Sequence, residues 1–200
     1  MFRITHSLIS AWDYATGEYA TDNSLDEFMA TLRREPHERS KSMQIGVDFE
    51  SEVTYYAANG QLQKSDADYA DAERAAIVGF GSRVRNSVSQ VRAEKRMKIC
   101  GMDFQLVGVA DYLKAGIIYD TKRVGRYEYG KYVSSSQHPM YFELFPEAIR
   151  FDYLIFDGGQ TYTETFRRGE CTPASILISR FIRDMRDAGL IDTYKQYWEV

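Results

Sequence analysis

Apolar positions recur at helical spacing through the first half of the chain and change to alternation near residue 91. Residues 7–14 read as a helix start, with Ser7 a candidate N-cap and Leu8, Ile9 and Trp12 on one face. After a polar stretch, Ser24 is a candidate cap for a helix carrying Leu25, Phe28, Met29 and Leu32. Residues 33–41, with Pro36, read as a charged, exposed connection. Ile45, Phe49, Val53 and Tyr56 then mark a helix over residues 44–58 that stops at Asn59-Gly60. A second long helical pattern runs from Asp66 to about Val88. Gly79 and Gly81 interrupt it; they cost helix stability and let the backbone approach a neighbour.

From Val91 the period is two. Residues 91–99 read as a strand with one solvated face and Gly101 as a turn. Residues 104–113 read as a second strand, 114–116 as a tight connection and 117–122 as a third strand, an antiparallel meander. Residues 134–145 predict a helix ending before Pro146. Residues 153–156 and 162–166 predict two strands around the Asp157-Gly-Gly159 turn. Pro173 opens a last helix with Ile176, Ile178, Phe181, Ile182 and Met185 on its apolar face. It closes near Gly189, and Tyr194, Tyr197 and Trp198 pack the tail. No repeat or composition break divides residues 1–200, so the pattern predicts one α/β domain.

Composition narrows the function classes. A hydrophobic share of 44% with 27% charged residues is that of an ordinary soluble protein. No apolar run reaches membrane-span length and no secretory leader opens the chain, so a cytoplasmic location is expected. The two cysteines, Cys100 and Cys171, form no CxxC pair. They read as buried free thiols, with neither zinc nor an iron–sulfur cluster expected. His6, His37 and His138 share no metal-ligand spacing and read as incidental. No phosphate-binding loop, dinucleotide fingerprint or nucleophile elbow is present, so no nucleotide cofactor is expected. The net charge of −4 argues against indiscriminate coating of nucleic acid but leaves a nuclease open. Arg33-Arg34, Arg83 with Arg85, residues 92–98 and Arg167-Arg168 are local basic runs.

The chemistry concentrates in residues 108–122. Asp120 and Lys122 lie two apart on one strand and share a face, whereas Thr121 points away. Asp111 lies on the paired strand, at the same end of the ladder. Two carboxylates and a lysine so placed suit Mg²⁺ or Mn²⁺, hard ions that take oxygen ligands, with Lys122 positioning a water or neutralising phosphate charge.

Four motifs in order carry a resemblance: Gly46-Val-Asp-Phe-Glu50, Gly108-Val-Ala-Asp111, Asp120-Thr-Lys122 and Gln137-His-Pro-Met-Tyr141. The chain resembles the PD-(D/E)XK nucleases of the RecB-like branch, which includes phage-type recombination exonucleases. Ser7-Leu-Ile-Ser10 resembles the serine-bearing start of that branch, and Glu94 an acidic position sometimes found there. The resemblance covers about residues 5–145. It implies a restriction-endonuclease-like core with a central mixed β-sheet flanked by helices. By position it implies Asp111 and Asp120 as metal ligands, the Thr121 carbonyl completing the shell, and Lys122 as the catalytic lysine. Glu50 becomes the helix-borne acid, with Glu52 the alternative two residues on. Gln137 would orient the lysine or water and Tyr141 would touch the DNA, with Ser7 and Ser10 also on the substrate side. Pro139 departs from the motif and sets Gln137 near the helix N-cap.

The function so implied is a metal-dependent DNA nuclease, an exonuclease of recombination, repair or phage DNA processing, acting in a prokaryotic or phage-infected cell. A structure-specific or restriction-type endonuclease and a non-catalytic nucleic-acid-binding module are the alternatives. Linear DNA, single- or double-stranded, is the implied partner, with a recombination annealing protein or helicase beside it. Processive members of the family close into rings, but no segment here announces a subunit interface.

Overall fold

The computed structural model describes every residue except His37, Asp66 and Ala67. The predicted helix start at Asp66 and the reading of His37 therefore lie outside the described residues. Among the described residues, six strands form one mixed sheet in the order β1-β3-β4-β5-β6, with β2 also paired to β3. Strand β1 (Phe2–Ile4) is followed by α1 (His6–Thr16), α2 (Ser24–Leu32), α3 (Lys41–Asn59) and α4 (Asp71–Val84). The meander β2 (Val88–Ile99), β3 (Met102–Lys114) and β4 (Ile117–Arg123) comes next, then α5 (Gln137–Leu144). Strands β5 (Arg150–Phe156) and β6 (Thr161–Arg167) and helices α6 (Ala174–Asp187) and α7 (Ile191–Trp198) complete the chain.

The meander is antiparallel, as the alternation predicts, but β1 joins β3 in parallel and β5 joins β4 in parallel. Antiparallel neighbours need only a two-residue loop. Cys100-Gly101 and Ala115-Gly116 supply one each, with all four residues at positive φ. The parallel β4–β5 pair needs a long crossover, and α5 lies within it. Around β4 and β5 the sheet is buried on both faces. Phe151, Tyr153 and Ile155 pack into a core with α1, α2, α5, α6 and α7, while Leu154 and Phe156 pack into a second core with α3 and α4.

Several local expectations are corrected. Thr5, not Ser7, caps α1, its hydroxyl accepting from the Leu8 amide; Ser7 is exposed inside the helix. Ser24 is the first residue of α2 and accepts from the Thr21 amide instead of capping. Val88 belongs to β2 and not to the preceding helix, and α5 starts at Gln137 instead of residue 134. Ile176 is 54% exposed and Tyr197 37% exposed, so neither seals the C-terminal core. Cys100 is exposed, on a turn, and Cys171 half-buried, so neither is the buried thiol expected. Gly81 behaves as its helix pattern predicts: a Cβ there would meet Tyr56 Cδ1 at 2.7 Å, and α4 passes through unbroken.

Candidate active site

The ladder between β3 and β4 pairs Lys114 with Ile117, Leu113 with Ile118 and Tyr112 with Tyr119, then stops. Asp111 and Asp120 are the next residue on each strand, at the point where the two separate. Asp111 also marks a turnover in β3: Ala110 packs in the first core and Tyr112 in the second. Across from it, between the pairs Ser89–Tyr112 and Val91–Ala110, Gln90 stands at a φ of 51°. Where the two strands part, a largely buried cleft forms in which Asp111 and Asp120 meet Glu50 of α3 and Gln137 of α5.

On β4, Ile118 faces the first core and Tyr119 the second, so alternation sends Asp120 and Lys122 toward α5. Asp120 is 3% exposed. Its Oδ1 accepts from Gln137 Nε2 at 2.5 Å, and its Oδ2 lies 2.7 Å from Lys122 Nζ. Oδ2 is buried and faces the Lys122 ammonium without a well-aligned hydrogen bond among the described residues. Thr121 Oγ1, on the opposite face, is likewise buried and unpartnered.

The local field is crowded with negative charge. Burial first, then the Asp120 and Glu50 carboxylates, raise the Asp111 carboxyl well above its ordinary value. Glu50 is raised by burial and by Asp120, although Gln90 Nε2 donates to its Oε1 at 2.9 Å. Burial opposes the Lys122 charge, but Asp120 and Asp111 outweigh it and hold the ammonium above its usual range. This separates the two helix acids. Glu50 lies within the field of Asp120 and Lys122. Glu52 is turned away, accepting from the Tyr69 hydroxyl at 2.6 Å and pairing with Lys64 at 3.2 Å.

The residues present suit a hard divalent cation in charge and donor type. Asp111, Asp120 and Glu50 are oxygen donors that repel one another, and Asp120 Oδ2, though paired with Lys122 at 2.7 Å, accepts no well-aligned hydrogen bond among the described residues. Among the described residues, no three His, Cys, Asp or Glu side chains are drawn together tightly enough to hold an ion by themselves. Any shell would have to be completed by backbone carbonyls such as that of Thr121, or by water. A groove beside the cleft is lined by Arg39, Gly46, Val47, Glu50, Thr121 and Lys122. Apart from its own stretch of helix, no atom of the described residues lies within 4 Å of where a Cβ on Gly46 would stand.

The remaining candidates divide. Gln137 begins α5 with Pro139 in its first turn, and its side chain reaches Asp120. Ser10 Oγ lies 3.3 Å from Ser136 Oγ, next to Gln137, while the hydroxyl of exposed Ser7 lies 3.4 Å from the His6 ring. Tyr141 borders the site but is 5% exposed, and its hydroxyl donates to the Val109 carbonyl at 2.7 Å, so it belongs to the wall and not to an open surface. Glu94 stands apart, held by Arg92 and Gln105. The basic runs are largely engaged elsewhere: Arg83 with Asp152, Arg168 with the Phe145 and Ala148 carbonyls. His138 stacks on Phe166 and meets the Tyr153 hydroxyl, a core role.

His6 is the residue that sequence reasoning missed. Burial and Lys122 lower its pKa to about 4, against the opposing pull of Asp120, and its Nδ1 is buried without a partner. It is therefore neutral at pH 7, the form that accepts a proton or a metal. Its only sequence signal was adjacency to Ser7.

No family model matches the chain, and no curated protein matches it in sequence. Among solved structures it is similar to SSO0001, known from a crystal structure, with a TM-score of 0.58 at 12% identity. The match covers 94% of this chain and 77% of that one. At that identity the likeness speaks for the fold alone.

Proposed function

We propose that this protein is a metal-dependent DNA nuclease, built on a restriction-endonuclease-like core and acting on DNA ends in the cytoplasm. The observation that carries the reading is the meeting of Asp111, Asp120, Lys122, Glu50 and Gln137 where β3 and β4 part. These residues come from four elements spread over 88 positions, yet they share one electrostatic field. A surface acid and a surface lysine arising by chance would not share a buried cleft with a third carboxylate and an amide donor. The meander followed by a parallel crossover through α5 supports the finer fold assignment. Among the described residues no helix is long and apolar enough to cross a membrane.

Asp111, Asp120 and Glu50 would hold Mg²⁺ or Mn²⁺. When bound, such an ion neutralises phosphate charge and acidifies a water. The chain's own part is to fix the anions and supply the cation. Gln137 locks one oxygen of Asp120 and leaves the other directed at Lys122. Lys122, kept protonated by its carboxylate neighbours, places a positive charge where a scissile phosphate gathers negative charge. His6, neutral, and Thr121 complete the wall.

The non-catalytic alternative would be favoured by Asp111 and Asp120 pointing apart with no divalent ion bound on soaking; the two carboxyls instead lie close enough to interact directly, which speaks against it. Purified protein with Mn²⁺ should degrade linear DNA and spare covalently closed circles. Asp120→Ala and Lys122→Ala should each abolish that with circular dichroism unchanged. Cleavage surviving either substitution refutes the site, and cleavage of closed circles turns the reading to an endonuclease.

A further inference from the structure

The segment between β4 and α5, residues 124–136, leaves the site at Lys122 and returns to it at Gln137. It is held by a buried acid outside the cleft. Glu164 on β6 is 5% exposed, and its Oε1 accepts from the Tyr127 hydroxyl at 2.6 Å and from the Gly130 amide at 3.1 Å. A buried carboxylate is costly to install, and its hydrogen bonds here both go to this loop. Successive turns stiffen the segment: the Lys131, Val133 and Ser135 amides donate to the carbonyls of Glu128, Gly130 and Tyr132. Between the two residues that Glu164 grips stands Tyr129, 92% exposed.

A single exposed aromatic is ordinary on a protein surface. This one is not a random case, because its loop is rigid, both loop ends lie in the catalytic cleft, and exposed Arg126 and Lys131 flank it. Arg126 is paired to Glu128 at 3.2 Å, but both are solvent-exposed, where such a pair is weak. Tyr132, in the same loop, stacks on Tyr153 at 4.4 Å and lies within the fields of Lys122 and Asp120. Asp120, Tyr153 and Glu164 are register partners across β4, β5 and β6, so at about 5 Å per strand the acid that grips the loop on either side of Tyr129 stands about 10 Å from Asp120.

We infer that loop 124–136 is a substrate clamp and that Tyr129 stacks on an unpaired base next to the scissile nucleotide, making a single-stranded or frayed DNA end the preferred substrate. The inference rests on the nuclease reading. Stacking needs a free base face, which duplex interiors do not offer and unpaired ends do.

The test is fluorescence anisotropy in Ca²⁺ with a labelled oligo(dT), the same oligonucleotide with abasic sites, and a blunt duplex. Wild type should bind oligo(dT) most tightly. Tyr129→Leu should weaken that binding about five- to 150-fold, to the level wild type shows for the abasic strand. Tyr129→Phe should restore it, and the dependence on salt should be the same for all three proteins because phosphate contacts are untouched. Equal binding of oligo(dT) by wild type and Tyr129→Leu, with wild type cleaving DNA in Mn²⁺, overturns the stacking role alone. It also leaves Tyr129 to a protein contact. A wild type that neither binds nor cleaves any of the DNAs overturns both readings.

Discussion

Gln137→Ala probes the centre of the site without touching a charge. Gln137 is 5% exposed, and its Nε2 makes the 2.5 Å bond to Asp120 Oδ1. Hydrogen bonds to a charged partner contribute about 1.5–3 kcal/mol. The loss falls at the upper part of that range, because without Gln137 the buried carboxylate of Asp120 is left with the Lys122 ion pair. For a chain of this size each kcal/mol moves the melting temperature by about 2–4 °C, so the variant should melt about 4–12 °C below wild type at pH 7 in EDTA. A residue that only packs would produce that much and no more. A residue that orients a metal ligand also costs about 10- to 100-fold in metal affinity or activity. The Mn²⁺ concentration for half-maximal DNA cleavage should rise by that factor. A melting temperature within a degree of wild type refutes the hydrogen bond. A lowered one with unchanged Mn²⁺ dependence confines Gln137 to the fold.

Asp111 and Glu50 both titrate above their ordinary values. Groups so shifted favour the fold when protonated; their contribution is full below the unfolded carboxylate range, near pH 4, and is lost as pH rises through the folded values. Asp111→Asn should therefore melt above wild type at pH 7 in EDTA, with the gap closing toward pH 4 and DNA cleavage lost. An unchanged melting temperature at pH 7 would remove carboxylate repulsion from the account. Glu50→Gln should fold normally and lose Mn²⁺-dependent cleavage. Glu52→Gln should keep cleavage and lose about 1 kcal/mol of stability, since it gives up its charge beside Lys64 and weakens the bond from Tyr69. The reverse pattern would exchange the two acids.

Elements carried by local chemistry were legible in advance. The meander announced itself through alternation and two tight turns, and α3 through Phe49, Val53 and a glycine at φ 74° that ends it. What local pattern could not give were features decided by distant partners. Strand β1 is three residues long, too short for any period, and exists because Phe104, Gln105 and Leu106 offer an open ladder edge 102 residues away. The parallel pairing of β4 with β5 is equally invisible, because alternation reads the same in either direction. Ile176 was misjudged because helical spacing defines a stripe but not how wide a stripe the rest of the fold covers.

The site shows the same division. Asp120 and Lys122 are fixed relative to each other by strand periodicity, so their pairing could be read from two positions of sequence. Asp111 needed only the hairpin register. Glu50 and Glu52 could not be separated by spacing, because on a helix two residues apart means opposite faces and nothing local says which face meets the sheet. Tyr69 and Lys64 decide it, because the Tyr69 hydroxyl and the Lys64 ammonium satisfy the buried carboxylate of Glu52. His6 was unreadable for a stronger reason. It enters the site only because β1 docks on β3 and carries the start of α1 to the open end of the ladder, beside Tyr141 at 5.7 Å. A residue whose position depends on a three-residue strand finding its partner has no signature of its own. The cleft is thus a local hairpin device completed by long-range docking, and the residues most worth mutating next are those that the docking, and not the hairpin, supplies.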